Sequence, residues 1–121
     1  MKILIVSNDF IEGGFLREAL YFEGLDVCGV CPLEQVEHYC HEHEVGVIIS
    51  FCHHSLLNGG WCSEFFERLQ LKARPKIFLL SSISDENTVI SMYKGKVNQY
   101  YMLPMDLKRM VKNLSNEISK I

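Results

Sequence analysis

Val47-Ile48-Ile49-Ser50-Phe51-Cys52-His53-His54 opens on an apolar, β-branched run with no polar residue alternating into it and ends abruptly in polar and ligand-bearing side chains. A run of this kind is too short for a buried helix and reads as a strand covered on both faces, as strands of a parallel sheet are. Outward from it, similar runs recur at regular intervals: Ile3-Leu4-Ile5-Val6, Val27 to Cys31, Ile77-Phe78-Leu79-Leu80 and Tyr100-Tyr101-Met102. Between them the period changes to that of a helix. Ile11, Phe15, Ala19 and Phe22 recur at spacings of four and three, as do Trp61, Phe65 and Leu69, and Leu107, Met110, Val111, Leu114 and Ile118 form one stripe. Gly24, Gly46 and Pro75 punctuate the joins, and Asp85-Glu86 and Pro104-Met105-Asp106 give the last two helices acidic starts that suit the positive end of a helix dipole.

Five strands alternating with five helices predict an α/β chain with a parallel sheet between two helical layers, folded as one domain over residues 1–121. A hydrophobic fraction of 48% is sufficient for a core of that size. Met1 to Val6 has no basic lead and no small-residue cleavage site, and no apolar stretch has the length of a membrane span, so the expectation is a soluble, cytoplasmic protein with no membrane contact. The five cysteines are accordingly read as reduced thiols.

The net charge of −3 is unevenly spread. After residue 85 the acids are Glu86, Asp106 and Glu117, set against Lys94, Lys96, Lys108, Arg109, Lys112 and Lys120, while the rest of the chain is acidic. The acidic part argues against direct nucleic-acid binding, and the basic end suits an acidic protein surface.

In an open parallel sheet the functional edge is the carboxyl end of the strands. That edge carries Ser7 to Asp9, Cys31, Phe51 to His54, Ser81-Ser82 and Leu103-Pro104. No nucleophile, base and orienting group are collected there, so the expectation is a protein that is not an enzyme. Asn58-Gly59-Gly60 lacks the placement and the lysine of a phosphate-binding loop. Gly13-Gly14 falls inside the first helix and is expected to loosen its beginning.

Over nearly its whole length the chain resembles the receiver domains of bacterial two-component response regulators. The resemblance rests on Lys2-Ile3-Leu4-Ile5-Val6, Leu16-Arg17-Glu18-Ala19-Leu20 followed by Gly24, Val47-Ile48-Ile49-Ser50, Leu57-Asn58-Gly59, Ile77-Phe78-Leu79-Leu80-Ser81 and Tyr100-Tyr101-Met102-Leu103-Pro104-Met105-Asp106-Leu107, in that order and almost without gaps. It implies a flavodoxin-like fold with strand order 2-1-3-4-5. It also implies an acidic pair for Mg²⁺ after the first strand, a phosphoacceptor aspartate closing the third, a switch hydroxyl closing the fourth and a lysine before the proline. Those positions hold Ser7 and Asn8, Phe51, Ser81 and Leu103.

The departures agree physically. Phenylalanine cannot form an acyl phosphate, Ser7 and Asn8 supply no carboxylate for a hard cation, and without that charge a lysine at Leu103 would have no partner. The expected protein is a degenerate receiver, or pseudo-receiver, that needs no cofactor. It signals by contact with a protein partner or a second copy through the fourth helix, fifth strand and fifth helix, with Tyr100, Tyr101, Lys108, Arg109 and Lys112 as interface candidates. Two alternatives remain. One is the regulatory part of a transcription factor whose DNA-binding domain is absent from this chain. The other is a metal, redox or small-ligand sensor using the vacated pocket around Asn8, Asp9, Phe51, His53, His54 and Ser81.

Soft-metal ligands are plentiful. Cys28 and Cys31 form a CxxC pair, His38, Cys40, His41 and His43 follow, and Cys52-His53-His54 close the third strand. Helix direction sends His41 and His43 to the edge opposite His53, and an odd spacing points Cys28 and Cys31 to opposite faces of a regular strand. No metal site is expected.

Overall fold

A computed structural model describes residues 2–52, 75–81, 97–104 and 106–121. Five strands are present: β1 (Lys2–Val6), β2 (Asp26–Cys31), β3 (Val45–Cys52), β4 (Lys76–Ser81) and β5 (Gln99–Met102). All are parallel and hydrogen-bonded in the order β2-β1-β3-β4-β5. Among the described residues there are three α-helices, α1 (Phe10–Phe22), α2 (Val36–Glu42) and α3 (Leu107–Ser119). The two further helices that the sequence predicts, and the Asp85-Glu86 start, fall outside the described residues.

The inner strands β1, β3 and β4 are buried on both faces along nearly their whole length, which is why none of them shows alternation. On one face Leu4, Val6, Cys31, Ile48, Ile77 and Leu79 form a cluster with Leu33 and Val36 of the α2 layer. On the other, Ile3, Ile5, Val47, Ile49, Phe51, Phe78 and Leu80 pack against Leu16 and Leu20 of α1 and Met110, Val111, Leu114 and Ile118 of α3. The apolar stripe expected of the last helix is therefore its inner face, apart from Leu107, which is exposed.

For α1 the structure corrects the sequence. Ile11, Phe15 and Phe22 point outward, and the buried face is made by Gly13, Leu16 and Leu20. The helix carries two apolar faces, and close approach selects between them. A β-carbon on Gly13 would stand 2.5 Å from Val30 Cγ1 and 3.3 Å from Ser7 Cβ, so the helix lies on the sheet at a distance only glycine permits. Gly13 is a packing residue and not a loosened start. The helix ends at Gly24, which takes φ +84, with Leu25 N–H reaching back to the Leu20 carbonyl at 3.1 Å.

Candidate functional site

The strand register brings four of the predicted positions to one edge. Val6 pairs with Ser50, so Ser7 and Phe51 stand side by side just beyond, while Cys52 pairs with Ser81 and Ser81 with Met102. Leu103 N–H then donates to the Ser81 carbonyl at 2.7 Å, and the following Leu103-Pro104 peptide is cis. Ser7, Phe51, Ser81 and Leu103 thus share the carboxyl edge of the sheet. His53 and His54 lie outside the described residues.

The chemistry at this edge is closed inward. Ser7 is buried, its N–H continues the ladder to the Cys31 carbonyl at 2.9 Å, and its hydroxyl oxygen accepts from Asp9 N–H at 3.1 Å. The same hydroxyl lies 3.0 Å from the Asp9 carbonyl and 3.3 Å from Glu12 Oε1. Asp9 is the N-cap of α1, its Oδ1 accepting from the N–H groups of Ile11 at 2.9 Å and Glu12 at 3.3 Å. Asn8 is exposed. Glu12 is the carboxylate that sequence reasoning missed. It sits in the first turn of the helix, five residues from Ser7, where only knowledge of the turn geometry would find it.

Phe51 is 3% exposed and packs with Phe78, Leu80 and Met110, with Leu103 laid against the same cluster. Hydrocarbon occupies both positions at which the family resemblance places a phosphoacceptor and its lysine. These residues do not fit Mg²⁺. The ion demands near-octahedral hard oxygen, and here the third strand contributes a ring, while the Ser7 hydroxyl is held in its turn. Among the described residues no three His, Cys, Asp or Glu side chains converge as metal ligands would.

The cysteine geometry differs from expectation. The β1–β2 register slips between Ile3 and Leu4, which pair with Val27 and Gly29, leaving Cys28 as the extra residue of a bulge. Cys28 therefore faces the same cluster as Cys31, and Cys40 of α2 joins them. Burial pushes the Cys31 thiol up to about 12 and Cys40 to about 11, with smaller contributions from the neighbouring thiols, and it also raises Cys28. These thiols are held protonated, the opposite of an activated nucleophile. His43 stacks on Tyr39 and lies 3.5 Å from Lys2 Nζ, at the amino end of β1 and so away from Ser7. His38 pairs with Glu42 at 3.4 Å on the surface of α2.

At the other end of the chain Tyr100 packs on the α2-side cluster and Tyr101 on the α3-side cluster. Burial, aided by the charge of Glu117, raises the Tyr101 phenol. Lys108, Arg109 and Lys112 are all exposed on α3, which Asp106 caps by accepting from Lys108 N–H at 3.1 Å.

The chain matches no protein-family model and no curated protein. Solved structures do match. The receiver domain of the TMAO respiratory system response regulator TorR superposes with a TM-score of 0.79 at 18% identity, over 99% of this chain and 98% of that one. A response regulator from Thermotoga maritima gives 0.78 at 17% identity, over 98% and 97%. The fold is that of receiver domains. A third structure with this fold is an atypical orphan response regulator described as having a phosphorylation-independent regulatory mechanism, with a TM-score of 0.76 at 14% identity over 98% and 96%. No helix among the described residues is long and apolar enough to cross a membrane.

Proposed function

We propose that this chain is a pseudo-receiver, a regulatory module of signal transduction that works without phosphorylation and without catalysis, by binding a protein. The observation that carries the reading is Phe51. A buried aromatic ring, packed with Leu103 in one apolar cluster, stands where receiver chemistry would need a carboxylate and an ammonium. The Ser7 hydroxyl and the Asp9 carboxylate beside it are engaged in the turn that starts α1. The phosphorylation-independent mechanism of an orphan regulator with the same fold supports the reading by analogy.

With no phosphoryl switch, output rests on a standing surface. The exposed Lys108, Arg109 and Lys112 of α3, next to β5, suit an acidic protein partner better than a nucleic acid, given the acidity of the rest of the chain. Incubation with acetyl phosphate and Mg²⁺, read by intact mass, is expected to add no phosphoryl group, and beryllofluoride is expected to leave the thermal midpoint unmoved. A phosphorylated product, or a midpoint raised by beryllofluoride in the wild-type protein, would refute the proposal.

A further inference from the structure

The one-residue slip between β1 and β2 gathers thiols. A regular strand would send Cys28 and Cys31 to opposite faces of the sheet, which is why their spacing alone argues against a shared ligand. As the extra residue of the bulge, Cys28 instead faces the α2 layer together with Gly29 and Cys31. Bulges re-aim side chains in this way beside functional sites. Helix α2 closes on the same strand. A β-carbon on Gly29 would stand 2.6 Å from Tyr39 Cε1, so the Tyr39 ring lies directly on the β2 backbone. That contact seats α2 beside Cys28, and Cys40, the residue after Tyr39, packs on the same cluster. The thiols are near enough for charge on Cys28 to raise both Cys31 and Cys40. Cys31 is fully buried, whereas Cys28 and Cys40 are half-buried and open to an ion arriving from solvent.

We infer that Cys28 and Cys40 form a binding site for a soft, two-coordinate monovalent cation, Cu(I), held between β2 and α2. Ligand number selects the ion. Structural zinc takes four protein ligands and catalytic zinc three, and among the described residues no three ligand side chains converge. Cu(I) is selected by soft thiolates and is satisfied by two in a linear arrangement. Thiols held protonated can still serve as ligands, because the ion displaces their protons. Two thiols and one Cu(I) give a bis-thiolate complex and two released protons, with no oxidation. The complex carries one net negative charge, and Lys2 is close enough to Cys28 to favour it. The inference does not depend on the loss of phosphorylation, and the site shares no residue with the basic face of α3.

Anaerobic titration of the reduced full chain with Cu(I), in competition with the chromophoric chelator bicinchoninate, tests it. One Cu(I) per chain is expected. Release of two protons makes the affinity fall by about a hundredfold for each unit by which the pH is lowered. Binding should also raise the thermal midpoint by mass action. Cys28→Ser alone and Cys40→Ser alone should each weaken binding by about a hundredfold or more and remove that rise, since either leaves a single thiolate. Unchanged circular dichroism spectra would show that both variants remain folded. Cys52→Ser and Cys62→Ser should bind as the wild type does. A chain that takes no Cu(I) from the chelator, uptake undiminished in either the Cys28 or the Cys40 variant, or uptake lost only on changing Cys52 or Cys62 would overturn the inference.

Discussion

Gly13 and Val30 approach so closely that a β-carbon on the glycine would lie 2.5 Å from the valine Cγ1. Helix propensity favours alanine over glycine by about 1 kcal/mol. At Gly13 that gain is outweighed, since the stiff Val30 side chain must shift and the Ser7 Cβ, at 3.3 Å, must also give slightly. Gly13→Ala is expected to lower the thermal midpoint. At Gly14 nothing lies within 4 Å, so Gly14→Ala should raise the helical stability of the monomer by the propensity difference. Paired thermal melts of the two variants check the sign of each.

Phe51→Asp recreates an acceptor without recreating its chemistry. Phosphoryl transfer to a carboxylate relies on a cation and on positioned positive charge, both missing at Ser7, Asn8 and Leu103. Removing the ring from its cluster costs roughly 3–5 kcal/mol even as alanine, before any charge is desolvated. A less stable, still unlabelled protein is expected from acetyl phosphate treatment. Mg²⁺-dependent binding of beryllofluoride, seen as a raised thermal midpoint, should need Ser7→Asp, Asn8→Asp and Leu103→Lys as well.

Cys31 and Cys40 set an alkaline limit. Burial raises Cys31 from 9.0 to about 12 and Cys40 from 9.0 to about 11, so the folded chain holds these protons more tightly than the unfolded chain. Their contribution is whole below the ordinary thiol value and is lost as pH rises through the folded values. Denaturant midpoints should therefore fall steadily between pH 9 and 12. Replacing both residues by alanine should flatten that slope, while labelling of the fully buried Cys31 thiol at neutral pH should await unfolding.

Reversal of charge at Lys108 and Arg109 probes the partner face. Both side chains are exposed, and exposed substitutions shift stability by no more than about 0.5 kcal/mol as a rule. The double variant is expected to keep the wild-type melt and to lose a protein captured from the native host through that face. Capture that survives the reversal would place the contact elsewhere.

The sheet was legible because its strands are uniformly apolar and differ from their surroundings in period. Val47-Ile48-Ile49 and Ile77 to Leu80 leave no other assignment once the period of three and four is read in the sequence between them. The site was legible in identity but not in engagement. Phe51 and Leu103 are apolar on inspection, whereas the hydrogen bonding of Ser7 and the approach of Glu12 depend on turn geometry that residue types do not encode. Two orientations were illegible for separate reasons. Helix α1 bears competing apolar faces, and the choice of Leu16 and Leu20 over Phe15 and Phe22 turns on one missing side chain at Gly13. The face of Cys28 depends on a one-residue slip, which inverts every side chain before it relative to those after it.

That slip has a bearing on solubility in the plainest sense. In this sheet β2 and β5 are the outermost strands, each with one row of backbone donors and acceptors that no other strand of the sheet pairs. The bulge at Cys28 breaks the regular spacing of those groups on β2, Asp26 places an exposed charge at its start, and β5 is only four residues long. Neither border offers a long flat template for cross-β growth. Contacts made by this sheet's borders are thereby disfavoured, and the exposed helical surfaces are left as the places where another protein can settle.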